Sequence, residues 1–257
     1  MEQQQLVTML SMEKLFFSPK SVKSHPKRHL IANSLHKLCE DEKMSDDVFA
    51  LTMNIFDRFV ANHSLTNDNH YCELIALSCY NLAKKLRANI LINKENEITS
   101  LIFQEKNYQE HEIFDAEQLI IETLDWDLSA VVSYDYIPFL LSYLLLPEND
   151  LIKLNLHVRT LLSLAICVIN TLTILPSVLC CACIREAIKG LSILQLHPVD
   201  ELILQNVHCN KADLIHTQCL IEQIFQSCLQ AIRPSPPRRC LAPIDTSNKP
   251  NASPRVK

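Results

Sequence analysis

Apolar residues recur along this chain at intervals of three and four, and that period predicts helices. A first amphipathic stretch covers residues 6–17, and Leu30, Ile31, Leu35 and Leu38 make the next stripe. Ser45 then stands as an N-cap, with Asp46 and Asp47 where acidic groups meet the positive end of a helix dipole. The helix they open carries Phe49, Met53, Phe56 and Val60. Residues 69–87 align Tyr71, Ile75, Ser78 and Leu82, and a short helix is expected around Ile98, Leu101 and Ile102. A fifth follows Tyr108 with Ile113, Glu117, Ile120, Ile121 and Leu124 in line, closing on Trp126. After a spacer at 127–133, five more stretches follow at 134–145, 156–169, 176–191, 199–205 and 211–232. The pattern thus predicts an all-α chain in which five helices follow five. From residue 233 onward, Pro234, Pro236, Pro237, Pro243, Pro250 and Pro254 interrupt a mostly polar tail, which is expected to lack fixed structure. The division that follows is a helical extension at 1–24, a first unit at 25–130, a second at 131–232 and the tail at 233–257.

Composition sharpens this picture. At 257 residues and 48% hydrophobic, the chain can fill one large core or two modest ones. Gly190 is the lone glycine, so glycine loops of the phosphate-binding kind are excluded. A formal charge of −5 without a domain-sized basic stripe argues for a protein partner over nucleic acid. The 11 cysteines are odd in number, several lie in apolar helical pattern, as at Cys167, Cys180, Cys181 and Cys183, and no N-terminal signal peptide is evident. Reduced thiols in the nucleus and cytoplasm are therefore expected. Cys180, Cys181 and Cys183 lack the second ligand pair of a zinc site, so no metal or cofactor is expected. Residues 160–184 carry no charge and could span a bilayer by length, but Pro176 reads as the first turn of a second helix. Two core helices joined by a short turn are expected, and no membrane.

Two charges sit where the period calls for apolar groups. Lys85 lies three residues beyond Leu82 on one stripe, and Glu117 lies four beyond Ile113 on another. Removing one partner of a buried ion pair typically costs roughly 3–5 kcal/mol, so each needs the other if the helices pack together. The pair then either fixes helix register or offers its spare donors and acceptors to another protein's backbone.

These residues resemble a known family, the cyclins. Residues 28–43 are similar to the family's first helix, and residues 48–59, ending Asp57-Arg58-Phe59 after an apolar run, are similar to its second. Residues 79–86 resemble the segment that bears the family's hallmark lysine, which falls on Lys85. Residues 116–126 resemble the helix with its hallmark glutamate, which falls on Glu117. Residues 175–191, opening Leu175-Pro176-Ser177, resemble the small-residue helix of D-type cyclins, and 219–232 their last helix.

The resemblance implies two consecutive five-helix cyclin boxes and an activating subunit of a cyclin-dependent serine/threonine kinase, acting at the G1/S transition. Lys85 and Glu117 would hydrogen-bond the kinase backbone, and Arg28 and Asp57 match positions that form a structural ion pair. A cyclin has no catalytic residue of its own. It presses the kinase's mobile helix inward and orders the activation segment, favouring the active conformation by differential affinity. Retinoblastoma-type proteins would be among the substrates. Lys27 and Ser34 stand where cyclins often carry a Met and a Trp, so the candidate substrate-docking groove reduces to Leu30, Ile31 and Ser34. The Leu-x-Cys-x-Glu motif of D-type cyclins is missing, since Leu38-Cys39-Glu40 has the wrong spacing. Two alternatives stay open: a cyclin-box scaffold that binds transcription complexes or peptides without activating a kinase, and a helical enzyme built on a reactive cysteine.

Overall fold

The computed structural model describes residues 2–17, 23–63, 68–87, 100–103, 106–169, 172–193 and 196–232. Helix α1 (Glu2–Met12) runs into a 3-10 turn at Glu13–Leu15. Helices α2 (Arg28–Asp41), α3 (Asp46–Asn62), α4 (Asn69–Arg87) and α5 (Glu110–Thr123) make the first group. A 3-10 turn at Ser133–Tyr136 then leads into α6 (Ile137–Ser142), α7 (Glu148–Val168), α8 (Pro176–Leu191), α9 (Leu196–Val207) and α10 (Lys211–Ile232).

The most buried sequences become the central helices. Every side chain of α3 from Val48 to Val60 is buried except the half-buried Arg58, so α3 is enclosed by neighbours on all sides. It packs on α2, α4 and α5, and also on α7 from the second group. Ser45 holds the extended N-cap conformation ahead of it, and the carbonyl of Ser45, rather than its hydroxyl, accepts the Val48 N–H at 3.0 Å. In the second group, α8 plays the same part, packed between α7, α9 and α10. Its Cys180, Cys181, Ala182 and Cys183 are wholly buried, and small side chains there let the flanking helices come close.

One expected helix is a hairpin instead. Ser100–Phe103 pairs antiparallel with Lys106–Gln109, in the register Leu101 to Tyr108 and Ile102 to Asn107. Short apolar runs do not separate strand from helix by period alone, and Leu101-Ile102-Phe103 is rich in strand formers. Ile98 lies outside the described residues, as does the tail at 233–257. The first group therefore holds four α-helices and a hairpin among the described residues. The hairpin delivers Gln109 to the start of α5, where the Glu112 carboxylate accepts the Gln109 N–H at 2.9 Å.

The uncharged run at 160–184 resolves into the end of α7 and the start of α8, with Pro176 at the first turn of α8. Helix α7 is long and apolar enough to cross a bilayer by composition. It begins two turns earlier than its apolar pattern suggests, because the polar Glu148, Asn149, Asp150 and Lys153 hide its first turns. Leu154, Val158, Leu161, Leu162, Ala165 and Ile166 are buried, on a helix packed against α2, α8 and α10.

Candidate functional site

The two misplaced charges meet. Helices α4 and α5 pack side by side, and Lys85, in the last turn of α4, donates from Nζ to Glu117 Oε2 at 2.6 Å. Burial divides the pair unequally: the Glu117 side chain is 8% exposed and that of Lys85 is 49% exposed. A carboxylate this deep needs more than one donor, and Asn81 supplies the second, from Nδ2 to Glu117 Oε1 at 2.5 Å. Both oxygens are thus engaged, while the ammonium of Lys85 has N–H groups left to face outward.

The end of α4 that carries Lys85 is firmly tied. Lys84 Nζ and the Tyr80 hydroxyl both donate to Glu42 Oε2, at 2.5 and 2.8 Å, which fastens α4 to the turn between α2 and α3. Arg87 forks onto Asp135 at 2.7 and 2.9 Å and donates to the Ala130 carbonyl at 2.9 Å, which fastens it to the start of the second group. Around Lys85 and Glu117 lie exposed apolar groups: Leu86 follows Lys85 at 49% exposure, and Phe114, one turn before Glu117 on α5, is 63% exposed. Trp126, just beyond α5, is 78% exposed. A buried carboxylate and a half-exposed ammonium, with exposed large apolar side chains on the same helices, suit a protein surface.

Arg28 and Asp57 form a second pair of the opposite character. Nε and Nη2 of Arg28 donate to the two oxygens of Asp57 at 2.7 and 2.8 Å, and both residues are buried. The third nitrogen, Nη1, donates to the carbonyl of Ile166 at 2.9 Å, in the last turn of α7. A cation meets the negative end of the α7 dipole there, and one guanidinium joins α2, α3 and α7. The sequence pointed to the pair but not to its reach into the second group.

Leu30 and Ser34 reach the surface of α2, Leu30 at 51% exposure and Ser34 half-buried, whereas Ile31 is 4% exposed and belongs to the core. Of the three candidate groove residues, Ile31 therefore offers the least surface. The thiols follow burial: desolvation pushes Cys39 up to about 12, Cys167 up to about 11, and Cys180, Cys181 and Cys183 well above their ordinary value. A nucleophilic cysteine needs the reverse shift together with access, so the reactive-cysteine reading loses its support at these positions.

Asn81 and Phe114 were not singled out by the sequence. Asn81 had a readable signal, because it stands four residues before Lys85 and so shares its face of α4. Phe114 had none, since an exposed and a buried phenylalanine read alike.

Comparison with known proteins bears on this site. A family model described as "Cyclin, N-terminal domain" matches residues 1–129. The chain is 28% identical over 166 residues to "G1/S-specific cyclin-D2" of Gallus gallus, covering 65% of this chain and 55% of that protein. It is 25% identical over 209 residues to "G1/S-specific cyclin-D1" of Xenopus laevis, covering 79% of this chain and 70% of that protein. The match to the Gallus gallus protein therefore spans about half of that protein's length. Among solved structures, a viral cyclin from herpesvirus saimiri superposes with a TM-score of 0.64 at 18% identity, covering 88% of this chain and 95% of that one. The CAK complex from Chaetomium thermophilum bound to ATP-gamma-S contains a chain that superposes with a TM-score of 0.56 at 16% identity, covering 88% and 72%.

Proposed function

This chain belongs to the cyclin family, and from that premise we propose that it is the regulatory, activating subunit of a cyclin-dependent serine/threonine kinase. Within the family we assign it to the D type, acting at the G1/S transition, with the helical groups at 25–130 and 131–232 serving as the two cyclin boxes. The relatives named as G1/S-specific cyclins support the subtype. The observation that carries the reading is the half-open pair: Glu117 is held in place from beneath, and Lys85 stands 49% exposed with donors to spare beside Leu86 and Phe114. Lys85 would donate to a backbone carbonyl of the kinase, Glu117 would accept a backbone N–H, and the apolar rim would supply the buried area. The chain would perform no chemistry. Its effect on the kinase is the difference between its affinities for the active and inactive conformations. Work in the nucleus and cytoplasm follows from that role.

The test is to combine the purified chain with a panel of purified monomeric cyclin-dependent kinases and follow phosphorylation of a retinoblastoma-derived peptide. Lys85→Ala and Glu117→Ala should each lose roughly tenfold or more of the stimulated rate, with the helical circular dichroism retained. Full stimulation by both variants would leave the pair a purely internal one and overturn the proposal.

A further inference from the structure

One turn of α4 presents two donors to a single carboxylate. Asn81 and Lys85 stand four residues apart, so their side chains rise on the same face toward Glu117. Asn81 Nδ2 reaches Oε1 at 2.5 Å and Lys85 Nζ reaches Oε2 at 2.6 Å. These donors are unlike in kind. A lysine ammonium on four methylenes acts as a mobile point charge, which attracts the carboxylate without fixing the plane in which it lies. The amide of Asn81 is planar, short and half-buried, so its N–H points in one direction. With one oxygen taken by the amide, the carboxylate cannot turn about its terminal bond without losing that hydrogen bond, and the ammonium is drawn to the oxygen that remains.

We infer that Asn81 is a positioning residue of the docking pair: its amide sets the plane of the Glu117 carboxylate, and through it the place of the Lys85 ammonium, before a partner arrives. This rests on the docking role proposed above for Lys85 and Glu117. A backbone segment offers its N–H and carbonyl in a fixed relation, so a pair already fixed in the free chain has less freedom to lose on binding. Leu82, the neighbour of Asn81, faces the core, and Asn81 lies at the edge of that apolar seam. An amide at such an edge is explained by the carboxylate it meets.

The experiment measures affinity for the same panel of purified monomeric kinases by titration, with thermal melting of the free chain alongside. Asn81→Leu keeps the size and removes the donor, while Asn81→Asp keeps the shape and sets a like charge against Glu117. Asn81→Leu should weaken binding about tenfold and Asn81→Asp further, as expected for loss of a hydrogen bond to a charged group. In a Glu117→Ala background, Asn81→Leu should change affinity no further, because it acts only through that carboxylate. A merely structural role would lower the melting temperature and weaken binding equally in both backgrounds, and that result overturns the inference. So does unchanged affinity of Asn81→Leu and Asn81→Asp. A wild-type chain that binds none of the kinases sinks the docking proposal and this inference with it, a result distinct from wild-type binding that ignores residue 81.

Discussion

The Arg28–Asp57 and Lys85–Glu117 pairs are built from the same kinds of group and set apart by their exposure. Arg28 and Asp57 are both buried, and every nitrogen of the guanidinium has an acceptor, so the pair is closed to any other molecule. Replacing Asp57 with Ala strands a buried cation, and roughly 3–5 kcal/mol of stability should be lost in urea unfolding. Lys85 is half in water, and its removal leaves Glu117 still bonded to Asn81. Lys85→Met should therefore cost no more than about 1 kcal/mol by the same measurement, in line with exposed pairs. A large loss from Lys85→Met, or a small one from Asp57→Ala, would show that exposure does not sort the pairs as argued. The contrast separates a charge sealed inside the fold from one open to the surface, which sequence position alone does not do.

At the scale of elements, the period of the apolar residues carried most of the fold. The bounds of α4, α8 and α10 agree with those the pattern predicts, because each helix carries its apolar period along most of its length. Elements were misread where other physics decides: Leu101, Ile102 and Phe103 suit either state until a partner strand is known, and the start of α7 is polar. The meeting of Lys85 with Glu117 was legible because a charge on an apolar stripe demands a partner, while the signal of Asn81 was weaker, its spacing from Lys85 alone, because an amide makes no such demand. The turns were the least legible. Chains usually leave helices in the left-handed conformation through glycine, yet Lys43, Asp125, Trp126, Ser192 and His208 all have positive φ here. The lone glycine instead lies inside α8, where an added Cβ meets nothing within 4 Å. Two opposite substitutions two residues apart should then both stabilise α8. Gly190→Ala should add about 1 kcal/mol by helix propensity. Ser192→Gly, at φ 53° and ψ 35°, should add about as much by removing the left-handed penalty on a residue with a Cβ. Denaturant midpoints of the two variants and their combination test this, and an unfavourable Gly190→Ala would mean that the helix needs the glycine for a contact with another molecule.

The molecule as a whole is held together by side chains that cross between its parts, and Glu13 is one whose strength depends on pH. It lies in the turn after α1, is 2% exposed, and accepts from the backbone N–H of Ser177 at 2.8 Å and from the Ser177 hydroxyl at 2.7 Å. The N-terminal segment thus caps α8, the central helix of the second group, with an acid at the positive end of its dipole. Burial nevertheless pushes the Glu13 carboxyl above its ordinary value of 4.5, outweighing the two hydrogen bonds from Ser177 that favour the ionised form. The folded chain then holds this proton more tightly than the unfolded chain does. Its contribution to stability is complete below 4.5 and declines as pH rises through the raised value, because the ionised acid must be kept out of water. Glu13→Gln keeps an acceptor for Ser177 and cannot ionise. Measured by urea unfolding at a series of pH values from below 4.5 to neutrality, the stability of Glu13→Gln relative to wild type should therefore rise with pH. A difference that stays flat, or falls, would mean that Glu13 is ionised at no net penalty and that the cap holds α8 equally well across the range. The same titration on a variant whose α8 is altered elsewhere, such as Gly190→Ala, should run parallel to wild type, since that substitution leaves Glu13 and its Ser177 partners in place.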